Sequence, residues 1–66
     1  MKVRVSLVIK SHLNDAMLEM GIQQEVYQQQ ARERLHFVKY LVHMFPYTDE
    51  EIDVDVVYKQ FKLGYK

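Results

Sequence analysis

The fold is decided by residues 22–45, whose sequence is IQQEVYQQQARERLHFVKYLVHMF. Apolar residues recur there at intervals of three and four, the spacing of one face of an α-helix. We therefore predict one long amphipathic helix that ends before Pro46, because the residue before a proline avoids the helical region. Leu35, Val38 and Val42 are predicted to form the centre of the core. The apolar stripe comprises Tyr27, Ala31, Leu35, Val38, Leu41, Val42 and Phe45, and a weaker apolar edge comprises Ile22, Val26, Phe37, Tyr40 and Met44.

The segment before this helix reads as a short helix over residues 11–21. Asn14 is a plausible N-cap, and Gly21 stands where a residue in the left-handed conformation commonly ends a helix. The alternative is one continuous helix from Asn14 to Phe45, in which Gly21 is tolerated at a cost of about 1 kcal/mol. The break at Gly21 is the preferred interpretation.

Residues 2–10 alternate between apolar and polar side chains, which predicts a strand over Lys2–Lys10. Val3, Val5, Leu7 and Ile9 would share one face of it. A single strand needs a partner, and the same strand of a second subunit could supply one. We therefore predict a homodimer built on this strand.

The C-terminal segment fits two patterns. Val54, Val57, Tyr58 and Phe61 have helical spacing, whereas Ile52 to Tyr58 also alternate as in a strand. Thr48 and Glu51 resemble a capping box, and Gly64 could follow the last turn, so the helix is favoured over a second strand. No internal repeat is evident.

Composition limits the remaining possibilities. The chain has 66 residues, no cysteine, and nine basic residues balanced by nine acidic ones. This predicts a single small domain over 1–66 of the α+β class, with one N-terminal strand, a short helix, the long central helix and a C-terminal short helix or second strand. The absence of cysteine fits a cytoplasmic protein, and no apolar run approaches the roughly 20 residues of a membrane span.

Sites for chemistry are sparse in this sequence. His36 and His43 would lie on one helix face about 10.5 Å apart, too far to ligate one zinc ion. No phosphate loop, glycine fingerprint or nucleophile elbow occurs. We expect no catalytic residues, no metal and no cofactor, and hence no enzyme.

One short pattern points to another class of function. Residues 20–27 resemble the turn and second-helix start of a helix-turn-helix, with Gly21 in the turn. The resemblance implies a nucleic-acid-binding regulator in which Gln23, Gln24 and Gln28 contact adenine edges. Zero net charge favours a different reading.

The leading expectation is a small interaction protein, of the regulator or inhibitor type, that binds another macromolecule, with a protein as the expected partner. Its partner surface is expected where apolar and acidic side chains are neighbours, since aromatic residues and methionine are enriched in interface cores and acids at their rims. An alternative is that the aromatic residues pack inside the fold instead. The predicted partner-binding residues are Phe37, Tyr40, Met44, Asp49, Glu50, Glu51, Asp53 and Asp55.

Overall fold

A computed structural model describes residues 1–46 and 48–64. The elements are, in order, β1 (Lys2–Arg4), α1 (Val5–Met20), α2 (Glu25–Met44), β2 (Glu51–Asp53) and α3 (Val54–Gly64). The two strands form an antiparallel sheet, so the predicted α+β class is confirmed, although the described chain is mainly helical.

The long central helix is confirmed, and its buried residues come partly from the predicted stripe (Ala31 and Leu41) and partly from the weaker apolar edge (Phe37 and Tyr40). Ala31, Phe37, Tyr40 and Leu41 are the buried residues of α2, whereas Val42 is 52% exposed. Leu35 and Val38 are only partly buried, so the prediction of a core centred on Leu35, Val38 and Val42 is wrong. The reason is that α3 packs against the aromatic edge of α2.

The N-terminal strand is much shorter than predicted. It ends at Arg4, and helix α1 begins at Val5. Val5 and Val8 are buried while Leu7 is 56% exposed, so burial follows a helical and not a two-residue period. Because Val5, Val8, Ile9 and Ala16 all lie within one helical face, packing against α2 outweighs the β-propensity of valine. The predicted short helix over 11–21 is thus part of α1, and Asn14 lies inside it.

The break at Gly21 is confirmed, but its conformation is not left-handed. Gly21 has φ −75° and ψ −11°, in the right-handed helical region. The turn between α1 and α2 is held from outside by Gln28, whose Nε2 donates to the carbonyl oxygens of Met20 at 3.1 Å and of Ile22 at 2.9 Å. The chain therefore reverses into a helical hairpin of α1 and α2.

The partner of β1 lies in the same chain. β1 pairs with β2 in the register Lys2↔Asp53, Val3↔Ile52 and Arg4↔Glu51. Val3 and Ile52 point to the core, and the other two pairs place opposite charges across the strands. A second subunit is consequently not needed to pair this strand, which removes the basis for the predicted homodimer through Lys2–Lys10.

The C-terminal segment contains both of the predicted alternatives in succession. Glu51–Asp53 form the strand and Val54–Gly64 form the helix. The preferred helix is confirmed in part, because it begins after Glu51 and Thr48 therefore does not cap it. Gly64 is its last residue and does not follow it. Part of the predicted segment, Tyr47 and residues 65–66, lies outside the described residues.

The two strand-to-helix junctions are related to each other. Residues 2–10 (KVRVSLVIK) and 51–59 (EIDVDVVYK) are identical at three of nine aligned positions, and the β-sheet register pairs the equivalent residues Val3 and Ile52. Both helices begin two residues after this pair. Burial agrees at Leu7 and Val56, which are 56% and 51% exposed, but Val5 and Val8 are buried whereas Val54 and Val57 are only partly buried. The expectation of no internal repeat stays a prediction.

The core lies where these two junctions meet α2. Its centre is Phe37, which is fully buried and surrounded by rings. The ring centroids of His12, Tyr58 and Phe61 lie 5.1, 5.0 and 5.3 Å from that of Phe37. The cluster of buried residues comprises Val5, Val8, Phe37, Tyr40, Leu41, Ile52 and Phe61.

The first turn of α1 is capped by a residue far away in the sequence. Its own N-cap residue, Arg4, makes no capping side-chain bond. Instead the Ser6 amide donates to Asp49 Oδ1 at 2.8 Å and the Ser6 hydroxyl to Asp49 Oδ2 at 2.8 Å. Val5 N–H donates to the Glu50 carbonyl at 3.0 Å. The loop before β2 thus satisfies amides that a helix start leaves free.

We expect this cap to make stability depend on acid. The bonds from the Ser6 amide and hydroxyl, with the charge of Arg4 nearby, lower the pKa of Asp49. A carboxyl group whose pKa is lower in the folded state stabilises the protein above its unfolded pKa, about 3.9. That contribution is lost as the pH falls through the folded-state pKa. Asp49→Asn should therefore lower the urea midpoint near neutral pH, and the gap to the unsubstituted protein should close in acid.

Glu50→Gln is the matched control, because Glu50 contributes its backbone carbonyl to the cap. It should leave the urea midpoint nearly unchanged near neutral pH. A gap for Asp49→Asn that keeps its size at the lowest pH would contradict the capping role of the Asp49 charge.

Candidate functional site

A groove lies where the three helices converge. Its volume is about 300 Å³, at the lower end of the range for ligand pockets. The helix α1 contributes His12, α2 contributes three polar residues, and α3 contributes its first turns. The lining consists of His12, Gln30, Glu33, Arg34, Val54, Asp55 and Tyr58.

Arg34 joins α2 to α1 along one wall of the groove. Its Nε donates to Glu19 Oε1 at 2.8 Å, and its Nη1 lies 3.5 Å from Asp15 Oδ2. The same Nη1 lies 3.3 Å from His12 Nδ1. The bond to Glu19 raises the pKa of Arg34. Burial first, and then the positive charge of Arg34, lower the pKa of His12, so this imidazole is neutral at pH 7.

Glu33 joins α2 to α3 along the opposite wall. Its Oε1 accepts hydrogen bonds from Lys62 Nζ at 2.6 Å and from the Tyr58 hydroxyl. The bond from Lys62, followed by that from Tyr58, lowers the pKa of Glu33. Conversely, the Glu33 carboxylate raises the pKa of Tyr58. Both charged residues of α2 in the groove, Glu33 and Arg34, are therefore held by partners within the chain.

The predicted partner-binding residues do not form one surface. Phe37 and Tyr40 are 0% and 8% exposed and belong to the core, so the alternative of internal packing is correct for them. The physical reason is that Phe61 and Tyr58 of α3 cover this edge. The other predicted residues are at least partly exposed, and their role in binding stays a prediction; they are Met44, Asp49, Glu50, Glu51, Asp53 and Asp55.

An apolar surface instead lies on the other side of the hairpin. At 100° per residue, Leu35, Val38 and Val42 lie roughly 170° around α2 from the residues that contact α3. Helix α1 adds three apolar side chains at spacing i, i+4 and i+7, of which Met17 is 72% exposed. We call this set the hairpin face; it comprises Leu13, Met17, Met20, Leu35, Val38 and Val42.

Basic residues flank the hairpin face. In a view down the axis of α1, Lys10 lies next to Met17. In the same view of α2, Arg32 lies next to Leu35 and Lys39 lies next to Val42. All three basic side chains are exposed. Other exposed apolar residues, such as Leu7 and Leu63, stand apart from this face. The hairpin face is thus an apolar strip with a basic border.

The sequence pattern that resembles a helix-turn-helix falls on the turn of the hairpin. Gln28 is used to hold this turn through the Met20 and Ile22 carbonyls. Of the three glutamines, only Gln23 and Gln24 remain free of this role and exposed. The outer side of the β-sheet carries Lys2 and Arg4 beside the acids of β2, so it offers no basic ribbon for phosphates.

The described residues offer neither a metal site nor a membrane span. Within residues 1–46 and 48–64, no three histidine or acidic side chains converge as metal ligands would. None of the described helices is long and apolar enough to span a membrane.

Sequence reasoning did not identify the groove or the α1 half of the hairpin face. His12, Leu13, Met17 and Met20 are not among the residues for which the sequence predicts a binding role. The signal was present in the spacing of Val5, Val8, Ile9 and Ala16, which gives the buried face of α1 and leaves Leu13 and Met17 outside it.

Comparison of the chain with protein-family models, with curated proteins and with solved structures finds no match.

Proposed function

We propose that this chain is a small non-enzymatic binding protein that docks onto another protein through the hairpin face. The observation that supports the proposal is the exposure of apolar side chains on two adjacent helices of one hairpin. Met17, Met20 and Val42 are 72%, 48% and 52% exposed. Contiguous exposed apolar surface with polar borders is typical of protein interaction sites.

The composition of this face fits a protein partner. Methionine is unbranched and polarisable, so it adapts to the shape of a partner and is common at binding surfaces. The border of Lys10, Arg32 and Lys39 would steer association toward a surface with acidic side chains around an apolar centre. A partner that complements the acidic residues near β2 would instead be basic. A role in regulating or inhibiting the partner belongs to the same proposal.

A capture experiment tests the proposal. The protein and its variants Met17→Glu and Val42→Glu are immobilised, and the bound proteins are compared quantitatively. Both variants should lose the same specific partner at least tenfold, because a charge in the centre of an apolar interface is desolvated without a counter-ion. Leu63→Glu is the matched control, since Leu63 is 84% exposed on α3 and outside the hairpin face.

Circular dichroism melting shows that each variant is folded before capture is compared. A partner that is captured equally by all four proteins would overturn the proposal.

A further inference from the structure

The groove between the three helices is a second site, separate from the hairpin face. We propose that it binds an organic cation, namely a guanidinium or ammonium group carried on a short alkyl arm. The proposal stands on the cavity, on the charges around it and on one carboxylate, that of Asp55, for which residues 1–46 and 48–64 supply no hydrogen-bond or ion-pair partner.

The charged groups of the groove differ in whether other described residues form ion pairs or hydrogen bonds with them. Arg34 is engaged by Glu19, Asp15 and His12, and Glu33 is engaged by Lys62 and Tyr58. Asp55 is exposed and makes no hydrogen bond or ion pair with the described part of the chain. Its carboxylate is therefore the charge that remains available to a ligand.

The surrounding charge also favours a cation. Among the lining residues, the carboxylates of Glu33 and Asp55 outnumber the guanidinium of Arg34, which leaves a net charge of −1. His12 adds no positive charge at pH 7. An anion would meet this negative excess, and although the start of α3 carries a partial positive charge, Asp55 already offsets it.

The walls suit the alkyl arm of such a ligand. Val54 and the ring of Tyr58 line the groove together with Asp55, and these three residues lie on the first two turns of α3. Methylene groups can pack on these side chains while the charged head reaches Asp55. The Tyr58 ring already has one cation near it, because Lys62 Nζ lies 5.8 Å from its centroid.

The test is a nuclear magnetic resonance titration of the full chain with three matched probes. N-acetyl-arginine methylamide carries the cation, N-acetyl-citrulline methylamide is its neutral analogue of the same shape, and N-acetyl-glutamate methylamide carries the opposite charge. The arginine probe should shift the amide signals of His12, Gln30, Asp55 and Tyr58, with a Kd on the order of 1 mM, as for a ligand with few atoms. The citrulline probe should bind more weakly.

Two variants test whether the arginine probe binds at Asp55. Asp55→Asn should weaken binding of the arginine probe about two- to fivefold, the range for one exposed ion pair. Asp53→Asn removes the same charge two residues away, outside the groove lining, and should bind as the unsubstituted protein does. The amide spectrum shows that both remain folded.

Three results would overturn the proposal: equal binding of arginine and citrulline probes, tighter binding of the glutamate probe, or unchanged binding by Asp55→Asn. Agmatine, which has the guanidinium without a peptide backbone, distinguishes the source of the cation. Comparable binding of agmatine assigns the site to a free organic amine, and weaker binding assigns it to a side chain of a peptide; either result retains the cation site. The variants Met17→Glu and Val42→Glu should bind the arginine probe normally, so failure of one proposal leaves the other testable.

Discussion

Phe37→Ala should unfold the protein or leave it barely stable. Phe37 is fully buried, and three other rings lie within 5.3 Å of its centroid. Removing a buried phenylalanine ring typically costs about 3–5 kcal/mol, because transfer energy is lost and a cavity remains. A chain of 66 residues has a total stability of about 3–10 kcal/mol at the usual 0.05–0.15 kcal/mol per residue. The expected loss is therefore comparable to the whole free energy of unfolding.

Urea unfolding followed by circular dichroism measures this loss. Met44→Ala is the control on the same helix, since Met44 is 51% exposed, and it should change the free energy of unfolding by less than about 0.5 kcal/mol. If Phe37→Ala unfolded at the same urea concentration as the unsubstituted protein, the aromatic core described above would be wrong.

Ala31→Leu should destabilise the hairpin by overpacking. Ala31 on α2 is 0% exposed, and Ala16 on α1 is 1% exposed, so both helices bury small side chains. A leucine at position 31 has no free space and must displace a neighbouring helix or adopt a strained rotamer. Overpacking of this kind typically costs about 1–3 kcal/mol.

The matched control for the added volume is Gln29→Leu. Gln29 is exposed on the same helix, so the same side chain enters water there and should change the free energy of unfolding by less than about 0.5 kcal/mol. Thermal melts of both variants give the comparison. Equal melting temperatures would show that Ala31 is not packed against another part of the fold.

The strongest periodic signals in the sequence predicted which elements exist. The helix over 22–45, its end before Pro46, the break at Gly21 and the α+β class all follow from local spacing and from the chemistry of proline and glycine. These features depend on few neighbours, which is why one sequence suffices to predict them.

The rotation of α2 about its axis could not be predicted in the same way. Its sequence offers two apolar edges, and both contribute to the buried side: Leu41 comes from the main stripe, whereas Phe37 and Tyr40 come from the edge that α3 covers. The aromatic residues Phe37 and Tyr40 bury more area than Val38 and Val42 would. Because they lie at a flank of the main stripe, the sequence pattern did not predict that they form the core. Assigning them to a partner surface followed from the same error.

The N-terminal segment was ambiguous for a different reason. Val3, Val5, Leu7 and Ile9 alternate, whereas Val5, Val8 and Ile9 have helical spacing, and both patterns occupy the same residues. The Asp49 cap and the groove depend on contacts between distant segments, which periodicity does not contain.

The central claim is that the hairpin face is a binding surface and not part of the core, and Val42→Glu tests it most directly. The measurement pairs the free energy of unfolding of this variant with its affinity for the partner that the unsubstituted protein captures. Because Val42 is 52% exposed, we expect stability to change by less than about 0.5 kcal/mol while affinity falls at least about tenfold. A variant that unfolds, or one that is stable and binds the partner with unchanged affinity, would contradict the claim.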